Sequence, residues 1–506
     1  MTRKQILTFI AMGIGVGVIA VDIAAINVAL PAVEKDFRTT VGTIQWVVNG
    51  YALSFGVLMV TCGRLADTFG RRKIFFIGLI IFALASLTGA LSQSAGVLIG
   101  SRVVQGFGAA LLWPSVLGII YSSVSDAQKG FAVGLILGAA GVGNAAGPLI
   151  GGFLTEFASW RWVLFVNVPL SVIAGILTYL EVDKQPVEGG KKYVDYLGIT
   201  TITVSLVSLM YALNQSTSWG WGSYRTISLI LIFAVVMFLF VRIERKTEDG
   251  LIPPDVMSNI PFMLTATIMF TLIPAFFAML LYMPQYFEKF LNYSPLRAGA
   301  SLVPMLFMFA IVAPISGKIY NLIGARLSIF AGMILTFTGT LGIIFLAFGN
   351  SYYGFLPGLV VSGIGLGFAV PSITTAAVSS VRESRASLAG GIVYMFQLVG
   401  GALGLAVITT IFTDFAKNDL LNRIKGAGVS LSDSQQADVT GFILGSESKK
   451  ALLDGLGAEE FQQVLTHIHH AFVTGIETGL GFAAFLVATG AVLCFFAISD
   501  KRKPSG

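Results

Sequence analysis

The chain has 506 residues, of which 55% are hydrophobic and 11% charged, with a net charge of +6. Soluble proteins carry about 25% charged residues, so a water-soluble globular fold is excluded and the usual domain-size reasoning does not apply. The basic residues sit in short loops between apolar stretches, which argues against nucleic acid as a partner and for a lipid bilayer.

Fourteen stretches are long and apolar enough to cross a membrane as helices, which takes about 20 residues each. They are 6–30, 43–63, 74–94, 96–121, 130–155, 161–181, 194–214, 224–243, 261–284, 296–317, 326–348, 353–378, 387–412 and 471–497. Lipid leaves the backbone no other partner than itself outside a closed barrel, so the fold class is an all-α membrane protein. The first stretch is too long for a signal peptide and contains Asp22 and Asn27, so it reads as a retained span. An even number of spans puts both termini on one side. Lys and Arg are about twice as abundant on the side of the termini and loop 64–73, which places that side in the cytoplasm of a cell inner membrane. Residues 413–470 are too polar to span and read as an external loop, with amphipathic helical pieces at 431–443 and 458–470. Cys62 and Cys494 lie in different apolar spans, and no disulfide is expected.

The chain repeats itself. Gly63, Asp67, Gly70 and Arg72 after span 2 recur at the same offsets as Gly317, Asn321, Gly324 and Arg326 after span 10. Gly106, Gly108, Pro114 and Ser115 in span 4 recur as Gly363, Gly365, Pro371 and Ser372 in span 12, and Gly147 and Gly151 as Gly400 and Gly404. The displacement is about 255 residues each time, so two six-helix units flank an inserted pair, spans 7 and 8. The units are 1–181, an inserted pair with its linkers at 182–260, and 261–506 with the loop 413–470. The two halves supply a complete pathway between them, so a monomer is the default.

The repeat fails where it is most informative. Arg102 corresponds to Leu359, Asp22 to about Phe276, and Pro148 to Gly401, so at these corresponding positions the first half alone carries an intramembrane acid, an intramembrane base and a Gly-Pro bend. At about 1.5 Å of rise per residue, Asp22 and Arg102 stand within a turn of the same depth. A charge within a span costs at least about 2.5 kcal/mol, so such groups pair or face a wet cavity. Two readings follow: Asp22 carries a proton that Arg102 controls, or the two form a static pair that holds spans 1 and 4 together. Glu477 is the other acid well inside a span, on a polar stripe with Thr466, His470 and Thr474. His467, His469 and His470 gather at its mouth, as a solvated helix end, a proton-gathering entrance or, with too few further ligands, a metal site. No metal site is assigned.

Gly143, Gly147 and Gly151 form a bare stripe at i, i+4 and i+8 on span 5, with Gly152 beside it and Pro148 bending the helix. By itself this is a face for close helix packing; with the Gly-Pro-x-x-Gly-Gly run it reads as a pivot. In the loop after span 2, Asp67 can pair with Arg71 or cap the next helix, and with Gly63, Gly70 and Arg72 it suits a breakable gate between the halves. Phe and Met are abundant, at 39 and 14, as an adaptable apolar cavity requires, although most must pack spans or face lipid. Trp46, Tyr51, Trp113, Tyr394 and Gln397 are the candidates for lining it. No G-x-x-x-x-G-K-[ST] run exists, which argues against direct use of ATP, and no clustered catalytic set argues for an enzyme.

Several of these runs together resemble one family. Gly138 to Leu154 resembles the antiporter signature of the major facilitator superfamily, and Gly63 to Lys73 its hallmark loop. Arg102-Val-Val-Gln-Gly resembles its span-4 motif, and Asp22 to Pro31 the span-1 motif of its fourteen-span drug:proton antiporter branch. Gln45-Trp46, Trp160-Arg-Trp162, Asn167-Val-Pro169 and Tyr293-Ser-Pro-Leu296 fit the same branch. The sequence departs at Ala24 and Ala25, where threonine is common, and at Tyr394, Phe396 and Gln397, where many members carry Asn and Arg. The resemblance implies the major facilitator fold, no cofactor, and a proton gradient as energy source. It implies alternating-access export of small amphipathic, cationic drugs, with Arg102 linked to proton transfer. Export of a lipid, siderophore or other metabolite is the alternative, and a non-transporting sensor with a carrier fold is a third.

Overall fold

The computed structural model describes residues 2–183, 194–247, 250–346, 351–426 and 458–498. Among the described residues, fourteen helices are long and apolar enough to cross a membrane. They are α1 (Arg3–Phe37), α2 (Trp46–Phe69), α3 (Arg71–Ala90), α4 (Ala95–Ser122), α5 (Lys129–Phe157), α6 (Asn167–Glu181, preceded by a helical turn), α7 (Tyr196–Trp219), α8 (Tyr224–Glu244), α9 (Ile260–Phe290), α10 (Val303–Ile323), α11 (Ala325–Leu346), α12 (Leu356–Ser379), α13 (Ala386–Gly426) and α14 (Ala458–Ala497). Their ends follow local chemistry. Thr2 and Gln5 close a capping box at α1, and Ser94 caps α4 through the Val97 amide. Gly70, Gly220 and Gly324 take positive φ where α2, α7 and α10 stop, a backbone region that a Cβ disfavours.

The segment 413–470 differs from its expected form. α13 runs on to Gly426, and α14 starts at Ala458, so both flanks of that segment are helix. Propagating a formed helix adds a hydrogen bond for each residue fixed, so polar composition alone does not end one. An Arg423–Asp419 pair at 2.6 Å and i,i+4 spacing supports the extension. The helix expected at 458–470 is the start of α14; the one at 431–443 lies outside the described residues.

α1 packs on α5 and α6, and α4 on α2 and α3, within the first six-helix bundle. In the second, α12 packs on α10 and α11, while α9, α13 and α14 pack together. The inserted α7 and α8 pack on each other, and α7 reaches both bundles, through α2 and α13. Only 11% of the most apolar window of α8 is buried, so its Leu231, Val235 and Phe238 present an apolar outer face. Two seams join the bundles: α2 against α13, and α5 against α10.

Candidate functional site

Asp22 and Arg102 meet. Arg102 Nη1 donates to Asp22 Oδ2 at 2.5 Å, with the side chains 1% and 0% exposed. The depth match between two spans thus becomes a contact between α1 and α4. Neutral groups complete the shell. Gln105 Nε2 donates to Asp22 Oδ1 at 3.1 Å and Asn167 Nδ2 to the same oxygen at 2.6 Å. Both amides also reach Ser86 Oγ. Arg102 Nη1 donates a second bond to Gln105 Oε1, and its Nε donates to the Val47 carbonyl at 3.0 Å. The guanidinium carbon lies 4.3 Å from the centre of the Tyr51 ring. A buried charge pair is retained only where its own donors and acceptors are met; both Asp22 oxygens accept bonds here, while Asn167 Oδ1 in the same shell has no protein partner. The positions of the second half that correspond, Leu359 and Phe276, are apolar, so this charge pair has no counterpart in the other bundle.

Tyr51, expected in a cavity wall, is instead 1% exposed and serves as the face on which Arg102 rests. Further along the seam, Trp113 of α4 and Tyr394 of α13 stack at 4.3 Å, and Phe55 of α2 touches both. These rings meet across the two bundles, with Trp113 buried and Tyr394 half-buried in the seam. Buried polar groups without a protein partner stand beside them, Tyr51 Oη and Trp113 Nε1.

The end that carries residues 63–73 is sealed by charge and close backbone approach. Arg71 Nε donates to Asp67 Oδ1 at 2.9 Å. Asp67 does not cap the next helix, as its position suggested. It accepts from the amides of Ser387 at 3.3 Å and Leu388 at 2.8 Å, and so caps α13 of the other bundle. Arg71 donates also to the carbonyls of Gly118 and Glu383, one in each bundle. Gly63 lies so near the Ser387 carbonyl that a Cβ would stand 2.7 Å from it. The repeat builds the complementary seal: Asn321 Nδ2 donates to the Ala127 carbonyl at 2.5 Å, and Gly317 abuts Gly130. Gly70 makes the turn at φ 100°. Arg72 takes no part, since it donates to the Tyr179 carbonyl and packs on Phe76 and Tyr179 within its own bundle.

The glycine stripe of α5 packs on α1, the helix of Asp22. A Cβ on Gly143 would stand 2.8 Å from Ala20 Cβ, and one on Gly151 2.5 Å from the Ala25 carbonyl oxygen. Gly147 abuts Ala24. Ala24 and Ala25, where the sequence departs from the family pattern, are thus the small residues that admit the stripe. α5 is continuous through Pro148, and Gly152 faces the side chains of Leu296 and Val28 with more room. Gly130, Gly134 and Gly138 meet α10 across the second seam, so one helix carries two bare faces.

At the opposite end from residues 63–73, a cleft of about 280 Å³ lies between α2, α7 and α13. Trp46 lines it; Tyr51, Trp113, Tyr394 and Gln397 do not. Glu477 is half-buried on α14 and has no bond to Asp22 or Arg102. His469 is not a solvated helix end: it meets Tyr286 Oη at 3.0 Å and the Phe290 ring at 4.8 Å. The residues that sequence reading missed are neutral: Ser86, Gln105 and Asn167 around the charge pair, and Asn49, Tyr211 and Asn214 in the cleft. A polar amide inside an apolar span was the available signal.

Comparison with known proteins agrees with this architecture. The model of the Major Facilitator Superfamily matches residues 12–405. The multidrug resistance protein Stp of Mycobacterium tuberculosis is 30% identical over 98% of this chain and 91% of its own length. The tetracenomycin C resistance and export protein of Streptomyces glaucescens is 27% identical over 98% and 93%. The puromycin resistance protein pur8 of Streptomyces alboniger is 31% identical over 78% and 79%. The structure of the human organic anion transporter MFSD10 (TETRAN) superposes with a TM-score of 0.59 over 98% of this chain and 100% of that one, at 12% identity, a likeness of fold alone. Fourteen spanning helices, two repeated bundles and the match over residues 12–405 make this chain a member of the major facilitator superfamily, the integral membrane transporters.

Proposed function

We propose that the chain exports amphipathic, cationic drugs in exchange for protons, by alternating access. The observation that carries this reading is the fully buried Asp22–Arg102 pair, present in one bundle only and placed one helix from the seam between bundles. A static brace needs no asymmetry, whereas a carrier needs one group that exchanges a proton or a cation for its internal partner. Asp22 is that group. Protonated, or facing a cation, it releases Arg102, which keeps the Val47 carbonyl and the Tyr51 ring as partners. The seal around Asp67 is the gate, and the stripe of α5 transmits motion to α1. The drug-resistance names of three relatives support drugs as the cargo; the preference for cations rests on the carboxylate of Asp22. The excess of Lys and Arg supports a cytoplasmic sealed end, so the conformer faces outward.

The energetics suffice. One charge moved through 100 mV is worth about 2.3 kcal/mol, enough for a substrate gradient of about fiftyfold. The test is uptake of ethidium into proteoliposomes under an imposed pH gradient, with Asp22→Asn beside the wild type. Accumulation that follows the gradient and vanishes in Asp22→Asn supports the reading. Gradient-driven accumulation that survives Asp22→Asn removes Asp22 as carrier, and no accumulation of any cation removes the drug:proton reading itself.

A further inference from the structure

The cleft between α2, α7 and α13 is chemically unlike the charge site. None of its lining residues is charged. Its polar walls are two amides and a hydroxyl, those of Asn49, Asn214 and Thr409. Trp46 and Tyr211 form an aromatic wall, their rings 5.6 Å apart, and Met210 adds an adaptable apolar one. Its volume of about 280 Å³ is close to the lower bound for small-molecule sites, about 300 Å³. Asn49 Nδ2 donates to Asn214 Oδ1 at 3.2 Å. That single bond leaves the amide oxygen of Asn49 as an acceptor and the amide nitrogen of Asn214 as a donor, both in the lining of the cleft. A lactam or carboxamide edge presents the matching pair.

The same helix faces both sites. Trp46, Asn49 and Leu53, at i, i+3 and i+7 on α2, line the cleft. Val47 and Tyr51, on the other face, hold Arg102 through a carbonyl and a ring. α2 is seated tightly on α4: a Cβ on Gly106 would stand 2.5 Å from the Tyr51 carbonyl oxygen. Displacing α2 from the cleft side therefore displaces the cradle of Arg102.

We propose that this cleft is a second ligand site, taking an uncharged aromatic compound with adjacent hydrogen-bond donor and acceptor, and that its occupancy is transmitted through α2 to the Asp22–Arg102 pair. The transmission rests on the proton-carrying role proposed for Asp22; the binding does not.

The test uses the full chain in lipid nanodiscs and the fluorescent lactam carbostyril, with N-methylcarbostyril as the analogue that lacks the donor. Saturable carbostyril binding is expected, weakened about tenfold by N-methylation and by Asn49→Leu or Asn214→Leu, the worth of one hydrogen bond. Ala406→Trp fills the cleft from α13 without touching the amides and abolishes binding. Tyr394→Phe, outside the cleft, leaves binding unchanged. Equal binding of the two lactams, or binding indifferent to both Asn variants and to Ala406→Trp, overturns the site. Proton uptake or release on carbostyril binding, followed by a pH-sensitive dye in weak buffer, is expected in the wild type and absent in Asp22→Asn, which still binds. Binding without proton movement in the wild type overturns the transmission. Ethidium transport that fails while Asn-dependent lactam binding persists disproves the antiport reading and leaves the site standing.

Discussion

Replacing Asp67 with alanine should unseal the end that carries residues 63–73. Asp67 accepts three bonds, but they do not weigh equally on the opening. The bond from Arg71 joins two residues of one bundle and survives separation of the halves. The bonds from the amides of Ser387 and Leu388 cross the seam and break. The side chain is 4% exposed, so solvent screening is slight. Deleting a helix cap costs about 0.5–2 kcal/mol, and a hydrogen bond to a charged group is worth about 1.5–3 kcal/mol. A loss of about 2 kcal/mol from the sealed state is the central value, and it raises the open-to-sealed ratio about thirtyfold. Spin labels at Asp126 and Arg382, exposed positions on opposite bundles at this end, report the separation by pulsed electron resonance. The native Cys62 and Cys494 are buried and stay unlabelled. The expected result is a second, longer distance in Asp67→Ala. The neutral counterpart Asn321, changed to leucine, loses one uncharged bond to the Ala127 carbonyl and should shift the balance less. A folded Asp67→Ala protein with the wild-type distance distribution would refute the assignment of Asp67 as a latch.

The packing of α5 on α1 makes a contrasting pair. Gly151→Ala places a methyl 2.5 Å from a backbone oxygen that cannot swing away, and should lower stability by about 1–3 kcal/mol, read as the melting temperature in nanodiscs. Gly152→Ala meets only the flexible end of Leu296 at 3.3 Å and should melt as the wild type does; equal losses at both positions would show that the stripe is not the contact. Tyr51→Phe keeps the ring under Arg102 and removes a buried hydroxyl that has no protein partner. Its stability should be unchanged or higher by about 1 kcal/mol, and a clear loss would reveal a partner for that hydroxyl.

The features legible in the sequence are those whose cost in lipid is large. An acid and a base inside spans must be answered, so Asp22 and Arg102 could be paired from depth alone. Glycines at helical spacing could only mean close approach, and the structure supplies the partner, α1. Ser86, Gln105 and Asn167 carry no such flag. A neutral amide costs little more than one unmade bond, and these three lie on separate helices, far apart in sequence, until the bundle closes. Tyr51 is ambiguous in sequence for a related reason, since an aromatic side chain suits a cavity wall and a guanidinium face equally, and here it supplies the latter. Asp67 was read locally because its capping partner lies in the other repeat. The cleft escaped because α7 belongs to the inserted pair, which has no counterpart in the repeat to be compared with.

α2 is where these sites converge. Its first turns line the cleft on one face and cradle Arg102 on the other. Its last turns carry Gly63, pressed on α13, and Asp67, which caps α13. A rigid helix of 24 residues spans about 36 Å, so a tilt at one end must appear at the other. The proposed occupancy of the cleft, the proposed protonation of Asp22 and breaking of the Asp67 cap would then be three loads on one lever. Its partner is the same at both ends, because α13 also supplies the far wall of the cleft. The second bundle has the matching helix, α10, with Asn321 in place of the acid and no base behind it, since Leu359 stands where Arg102 does. The repeat therefore supplies a second helix that seals without an acid at the Asn321 position or a buried acid–base pair behind it, and under the proposed antiport this would confine proton exchange to one side of a nearly symmetric machine.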